Sequence, residues 1–161
     1  MVGKENKKDI QTIDSLNTPD ADKIYIVNGR HFYETDGLGR TTKVQAELEP
    51  SPNARSCYQQ GLAANCGATT DDGGHLIGAQ FQGVGAQINL VPQDWELNRG
   101  AGSPWRAMEE SWANAKADGL KVEIEMDVIY TDNGLRPEQF VVKWKIEGIP
   151  DQETFFNQAG G

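Results

Sequence analysis

Two alternating stretches in the C-terminal third constrain the fold of this chain most. Residues 121–130 and 139–146 alternate apolar and charged side chains, and residues 131–134 (T-D-N-G) join them. A two-residue period is typical of strands that pack one face against a core and leave the other face in water. The sequence therefore predicts an antiparallel sheet with one solvated face.

Shorter β-type runs lie nearer the N-terminus. Residues 23–27 and 31–34 flank Asn28-Gly29, which is a favoured two-residue turn for a β-hairpin. Residues 41–48 also alternate, until a Pro-rich segment interrupts them. These runs predict a hairpin followed by a third strand.

One segment carries strong helix signals. Ser103 is a good N-cap, and Pro104 suits the first helical position, where its missing N–H is not needed. Four apolar side chains then recur at intervals of three and four residues, which predicts the buried stripe of a helix that ends near Asp118-Gly119. These side chains are Trp105, Met108, Trp112 and Ala115. A second, short helix is expected near residues 153–158.

Length and charge limit the class of protein. The chain has 161 residues, and we interpret residues 1–22 as a polar leader and residues 23–161 as a single domain. The 15 Lys and Arg against 24 Asp and Glu give a net charge of −9, which by itself argues against a nucleic-acid partner. No apolar run approaches the roughly 18 residues of a membrane helix, so no membrane insertion is expected. Residues 1–8 also show no apolar signal-peptide region.

The two cysteines leave two interpretations open. Cys57 and Cys66 lie nine positions apart, which is not the C-x-x-C spacing of a zinc or redox site. A short-loop disulfide in an oxidising compartment and two free thiols both fit this spacing.

Residues with potential for chemistry are concentrated in the middle of the chain. His75 follows two glycines in the irregular, glycine-rich segment 54–88, and such segments are often functional. Three carboxamides and one carboxylate come after it, namely Asn89, Gln93, Asn98 and Glu109. This set suits a hard, hydrated cation such as Mg²⁺ with an imidazole as base. A zinc site would need three or four Cys or His ligands, and the chain has 2 His.

The order and spacing of these residues resemble the DNA/RNA non-specific endonucleases of the ββα-metal (His-Me finger) superfamily, in the branch common in bacterial secreted toxins. The family pattern is Asp-x-Gly-His, then Asn-x-x-Pro-Gln, four residues, Asn, and Trp-x-x-x-Glu on a helix. The resemblance covers residues 30–125 and implies an α+β fold, in which a helix crosses the strands of a ββα-metal core. The matching residues are Asp72, Gly74, His75, Asn89, Pro92, Gln93, Asn98, Trp105 and Glu109.

The resemblance also implies a role for each polar residue. His75 would be the general base for the attacking water, and Asn98 the direct ligand of Mg²⁺, for which Mn²⁺ could substitute. Glu109 would hold water of the ion and assist the leaving oxygen. Asn89, counted as catalytic, and Gln93, counted as substrate-binding, would fix the loop and hydrogen-bond phosphate or the water around the ion.

One departure from the family pattern concerns positive charge. Many members have Arg where this chain has Gly73, so the cation that stabilises the transition state must come from elsewhere. We predict a catalytic role for Arg99 and substrate-binding roles for Arg55, Arg106 and Asp72.

Together these expectations describe a Mg²⁺-dependent, sequence-nonspecific endonuclease, with DNA favoured over RNA. By resemblance it would be the C-terminal toxin domain of a larger secreted bacterial effector. It would act in the cytoplasm of the target cell and be neutralised by a cognate immunity protein. The alternatives are a free-standing secreted scavenging nuclease, a catalytically silent relative that binds protein or nucleic acid, and an inhibitor whose acidic sheet mimics nucleic acid.

Overall fold

A computed structural model describes residues 7–8 and 13–161 of the chain. In chain order its strands are β1 (Lys7–Lys8), β2 (Ile24–Val27), β3 (His31–Thr35), β4 (Thr41–Glu47), β5 (Asp71–His75), β6 (Leu90–Asp94), β7 (Val122–Ile129), β8 (Gln139–Ile146) and β9 (Ile149–Phe156). Its α-helices are α1 (Ile13–Asn17), α2 (Cys57–Asn65), α3 (Trp95–Arg99) and α4 (Pro104–Ala117).

The strands form two sheets within the described residues. The larger sheet has the order β1-β2-β3-β4-β7-β8-β9, and all its neighbours are antiparallel except the pair β1 and β2. Strands β5 and β6 pair antiparallel as a separate two-stranded sheet. The predicted antiparallel sheet and the α+β class are therefore confirmed.

Helix α4 covers the inner face of the larger sheet. Its four predicted stripe residues are all buried. The Trp105 ring lies 5.2 Å from the Phe140 ring of β8 and 5.2 Å from the Phe155 ring of β9, and Trp112 lies 5.7 Å from Trp144. The other face of β7 carries exposed or partly exposed charged side chains between buried ones, as the alternation predicts.

Most of the predicted elements are present. The hairpin of β2 and β3 with its Asn28-Gly29 turn, the strand β4 and the helix with Ser103 as N-cap are confirmed. The short helix expected near residues 153–158 is wrong, because residues 153–156 belong to β9 and pair with β8. Helix α2 was not predicted, since Ala63 is its one buried residue and it has no apolar stripe.

Part of the predicted leader packs against the domain. In α1 the Leu16 side chain is 5% exposed, and Oδ1 of Asn17 accepts a hydrogen bond from the backbone N–H of Gln87 at 3.0 Å. Residues 1–6 and 9–12 of that leader lie outside the described residues. The boundary at residue 22 stays a prediction.

The two cysteines are free in this structure. Cys57 begins α2 and Cys66 follows its last residue, and both are exposed. Nine residues of helical rise separate them by about 13 Å, whereas a disulfide needs Cα atoms within about 7 Å. The fold therefore favours two free thiols. In the described part of the chain, no helix has the length and apolar character needed to span a bilayer.

Candidate active site

The β5–β6 hairpin is packed closely against α2. A Cβ atom at Gly73 would lie 2.1 Å from the backbone oxygen of Gln60 in α2, and the Gln60 side chain donates a hydrogen bond to the Gly73 carbonyl at 3.1 Å. Backbone therefore fills the space beside residue 73. No side chain fits there without movement of α2 or of the hairpin.

His75 ends β5 as a buried imidazole. Its side chain is 7% exposed, and its Nε2 has no hydrogen-bond partner among the described residues. Burial, and secondarily the positive charge of Arg55, lower the pKa of His75 to about 4. The ring is therefore neutral at pH 7 and has a nitrogen that can accept a proton.

Asn89 holds the loop that follows His75. Its Oδ1 accepts hydrogen bonds from the hydroxyl of Tyr33 and the backbone N–H of Ile77, both at 2.9 Å. Its Nδ2 donates to the carbonyls of Ile77 at 2.9 Å and Val84 at 3.0 Å. These four bonds hold the loop and leave the amide no free donor or acceptor for phosphate. Sequence reasoning missed Tyr33.

Gln93 is buried on the opposite strand of the hairpin. A Cβ atom at Gly74 would lie 2.1 Å from Gln93 Oε1, so Gly74 makes room for this amide. Its exposure is 1%, and within the described ranges neither Oε1 nor Nε2 has a hydrogen-bond partner. Buried polar groups are rarely left unpaired, and those that are often mark a site for water or a ligand. Its role in substrate binding stays a prediction.

Asp72 joins the hairpin to α3. Its Oδ2 accepts hydrogen bonds from Nδ2 of Asn98 at 3.0 Å and from Nε of Arg99 at 2.6 Å, and its Oδ1 accepts one from Nη2 of Arg99 at 3.2 Å. Burial opposes the charge of this carboxylate, but the bonds from Arg99 and Asn98 together hold the pKa of Asp72 below its usual range. Asp72 therefore fixes the Asn98 amide, whose Oδ1 receives no hydrogen bond from the residues described here.

Glu109 lies on α4 and faces the segment after β5. A Cβ atom at Gly78 would lie 2.9 Å from Glu109 Oε2. Burial raises the pKa of Glu109 to about 7, and the positive charges of Arg55 and Arg106 oppose that rise. Because Arg55 acts on both His75 and Glu109, these three residues form one electrostatic group.

The predicted residues thus fall into two groups that β5 connects. Asp72, Asn98 and Arg99 are in contact, and His75 lies three residues after Asp72 on the same strand. The arginines differ in their partners: Arg99 is paired with Asp72, whereas Arg106 donates to the backbone oxygen of Arg99 at 3.2 Å. Within residues 13–161, no group of three or more His, Cys, Asp or Glu side chains is placed to hold a metal ion.

A second buried network, which sequence reasoning missed, ties the hairpin to the far end of the sheet. Arg136 donates to Asp71 from Nε at 2.7 Å and from Nη2 at 3.1 Å, and the Asp71 side chain is fully buried. Asn157 accepts a hydrogen bond from the backbone N–H of Asp94 at 2.8 Å and donates to the Pro92 carbonyl at 2.9 Å. These contacts span 63 to 65 residues of sequence, so no local pattern indicates them.

The first strand of the hairpin ends in His75, and α3 places the Asn98 carboxamide against that strand, which is the arrangement of a ββα-metal fold. The family model for DNA/RNA non-specific endonucleases matches residues 21–148. The chain belongs to this family and is an endonuclease of the hydrolase class.

Solved structures of nucleases share the fold. NucA from Streptococcus agalactiae with a bound magnesium ion is 17% identical, aligns over 86% of this chain and 74% of its own, and has a TM-score of 0.59. Sda1 nuclease with a bound zinc ion is 12% identical over 81% of this chain and 76% of its own, with a TM-score of 0.60. These likenesses show the fold.

A curated relative is more similar in sequence. The Type VII secretion system protein EssD of Staphylococcus aureus (strain USA300) is 33% identical over 133 residues, which cover 80% of this chain. The chain spans 22% of the length of EssD.

Proposed function

We propose that this endonuclease hydrolyses phosphodiester bonds without sequence preference, with DNA favoured over RNA, and that it depends on a divalent metal, Mg²⁺ in the cell. The observation that carries the proposal is the neutral His75 imidazole, whose buried Nε2 is unpartnered in the described part of the chain. It shares its surroundings with the Glu109 carboxylate and with Arg55. Family membership supplies the reaction class.

The donor set fits a hydrated divalent ion better than a zinc cage. The described residues offer no cluster of His, Cys, Asp and Glu, but Asp72 holds the Asn98 amide by its nitrogen and leaves the carbonyl oxygen available. Oxygen donors and retained water are what Mg²⁺ prefers. Asn98 would hold this ion directly and Glu109 would hold water of the ion, and the ion would supply positive charge against the phosphate. The metal ions bound to NucA and Sda1 support a divalent metal in this chain.

The protein's own residues would take up the proton, place positive charge beside the phosphate and position Asn98. His75 would take the proton of the attacking water at Nε2, and its low pKa ensures that the ring begins neutral. The phosphate charge of a bound strand would raise that pKa towards neutrality and so improve the base. Arg55 would place positive charge beside the phosphate, and Asp72 would position Asn98.

We also propose a setting for this activity. The similarity to a type VII secretion system protein, of which the chain spans 22%, supports the nuclease part of a larger secreted bacterial effector. Such a nuclease would act as a toxin in the cytoplasm of a target cell, and a cognate immunity protein would protect the producer. Co-purification of a small protein encoded beside the toxin gene, together with loss of cleavage in its presence, would support this setting.

The test of the activity is nicking of supercoiled plasmid. With Mg²⁺ or Mn²⁺ we expect relaxed and then linear product, and we expect EDTA to abolish both. His75→Ala should lower the rate by about 100-fold or more, which is the usual contribution of a general base. Glu109→Gln should also be severely impaired, whereas Glu110→Gln, which changes the exposed neighbour in the same helix, should be as active as the unsubstituted protein.

Two results would contradict the proposal. One is full activity of His75→Ala, and the other is a folded, unsubstituted protein that cleaves neither DNA nor RNA with any divalent metal. The second result would instead favour a binding module without catalysis.

A further inference from the structure

The tryptophans differ sharply in their exposure to solvent. The chain has four, of which Trp105, Trp112 and Trp144 are 1%, 2% and 9% exposed. Trp95, the first residue of α3, is 40% exposed. The backbone N–H of Trp95 binds the carbonyl of Thr70 at 3.0 Å, but any residue except proline could make that bond. This backbone bond therefore does not explain why the side chain is an indole.

The exposed indole is linked directly to the site. The guanidinium of Arg99, one helical turn later, lies 5.6 Å from the centre of the Trp95 ring. The same guanidinium is paired with Asp72, and Asp72 also holds the Asn98 amide. The Arg99 side chain is itself 65% exposed. Trp95 and Arg99 thus present an aromatic face and a positive charge to solvent, beside the residue expected to hold the metal.

We propose that Trp95 stacks on an unpaired base of the bound strand, next to the phosphodiester that is cleaved. This inference rests on the proposed function, because it takes nucleic acid as the substrate. Every base has a π-face, so stacking on an indole binds a strand without reading its sequence. A base inside a duplex has both faces covered by its neighbours. Trp95 should therefore give this nuclease a preference for single-stranded or locally opened DNA.

Tryptophan fluorescence in EDTA tests the contact without cleavage. The other three indoles are buried, so quenching by a short thymidine oligomer reports on Trp95. We expect quenching in the unsubstituted protein and none in Trp95→Leu. Fluorescence anisotropy of a labelled oligomer should show about tenfold weaker binding by Trp95→Leu. Trp95→Phe, which keeps an aromatic ring, should recover most of this affinity.

Kinetics with the metal present give the second readout. In Trp95→Leu we expect KM for single-stranded DNA to rise about tenfold with kcat nearly unchanged, since stacking contributes to binding and not to proton transfer. KM for duplex DNA should change less than about twofold if bases are reached only when unpaired. Phe32→Ala is the matched control: Phe32 is 39% exposed and lies on the other face of the sheet from Tyr33, which contacts Asn89.

The outcomes separate this inference from the proposed function. Measurable oligomer binding without quenching, or unchanged binding by Trp95→Leu, would overturn the stacking role even if the enzyme cleaves DNA. An equal loss in Phe32→Ala would overturn it as well. If the protein cleaves no nucleic acid, the proposed function fails, while the experiment in EDTA still decides whether Trp95 binds a base.

Discussion

At the scale of single residues, His31 is a buried titratable group that the proposed mechanism does not use. It is 0% exposed at the start of β3, and neither of its ring nitrogens has a hydrogen-bond partner in residues 13–161. Burial, and secondarily Arg30, lower the pKa of His31 from 6.5 to about 4. The unfolded chain therefore takes up this proton before the folded protein does.

This difference predicts a loss of stability in acid. The contribution of His31 is fully present above pH 6.5 and is lost as the pH falls towards 4, to a limit of about 3 kcal/mol. His31→Leu removes the titration and two unpaired buried nitrogens. We expect its free energy of unfolding to match or exceed that of the unsubstituted protein at pH 7 and to decline less between pH 6.5 and 4.

Urea unfolding at several pH values measures this decline. If the free energy of unfolding of His31→Leu falls with pH as steeply as that of the unsubstituted protein, His31 is not the group that titrates. Some slope should remain in His31→Leu, because the pKa of His75 is lowered in the same direction.

At the scale of elements, two glycine-to-alanine variants with opposite expected effects test the contact between α2 and β5. A methyl group at Gly73 would overlap the backbone of Gln60, whereas a methyl group at Gly61, inside α2, would meet nothing within 4 Å. Gly73→Ala should lower the free energy of unfolding by about 3 kcal/mol or more, because two backbones must separate. Gly61→Ala should raise it by about 0.5–1 kcal/mol, because alanine favours helix.

Denaturant unfolding of both variants, with plasmid nicking alongside, checks this pair. Gly73→Arg, which adds a cation at this position, should lose stability and gain no activity. A stable and more active Gly73→Arg would show that α2 can move away from the hairpin.

The same elements show where sequence reasoning works. Helix α4 and strands β7 and β8 could be predicted because their apolar period matches their burial. Helix α2 buries only Ala63, and its position depends on the close approach of Gly73 to the Gln60 backbone. No local sequence pattern indicates that contact. In β9, Phe155 is the single buried side chain, and the strand exists because β8 supplies its hydrogen bonds.

In the candidate site too, motif order indicates some residues, whereas other features depend on tertiary packing. His75, Asn98 and Glu109 could be proposed from motif order, because the family places these residue types at fixed positions along the chain. The bond between Asp72 and Asn98 crosses 26 residues and depends on how α3 lies against β5. The exposure of Trp95 also follows from that packing, so no sequence pattern distinguishes Trp95 from the other tryptophans.

At the scale of the whole molecule, the charges on the solvated face of the sheet differ from those at the candidate site. The net charge of −9 repels the phosphates of nucleic acid and so opposes its binding. On the solvated face of the sheet, acidic side chains are paired with lysines: Lys43 with Glu125 at 3.0 Å and Lys121 with Glu123 at 3.1 Å. The candidate site instead has Arg55, Arg99 and Arg106. Of these, Arg99 is paired with Asp72, so Arg55 and Arg106 are the cations that phosphate can meet there, and we expect binding to be sensitive to salt.

A buried ion pair joins strand β5 to the loop between β7 and β8, and it supplies the last prediction. Arg136 makes two hydrogen bonds to the fully buried Asp71 and a third, at 2.8 Å, to the carbonyl of Asn157. Arg136→Met should lower the free energy of unfolding by about 3 kcal/mol, because a buried carboxylate loses its partner. Adding Asp71→Asn should recover much of that loss, since no buried charge is then left unpaired and the amide oxygen can still accept from Ala68. Denaturant unfolding of the two single variants and the double variant measures this coupling, and strictly additive effects would show that the pair contributes no such coupling.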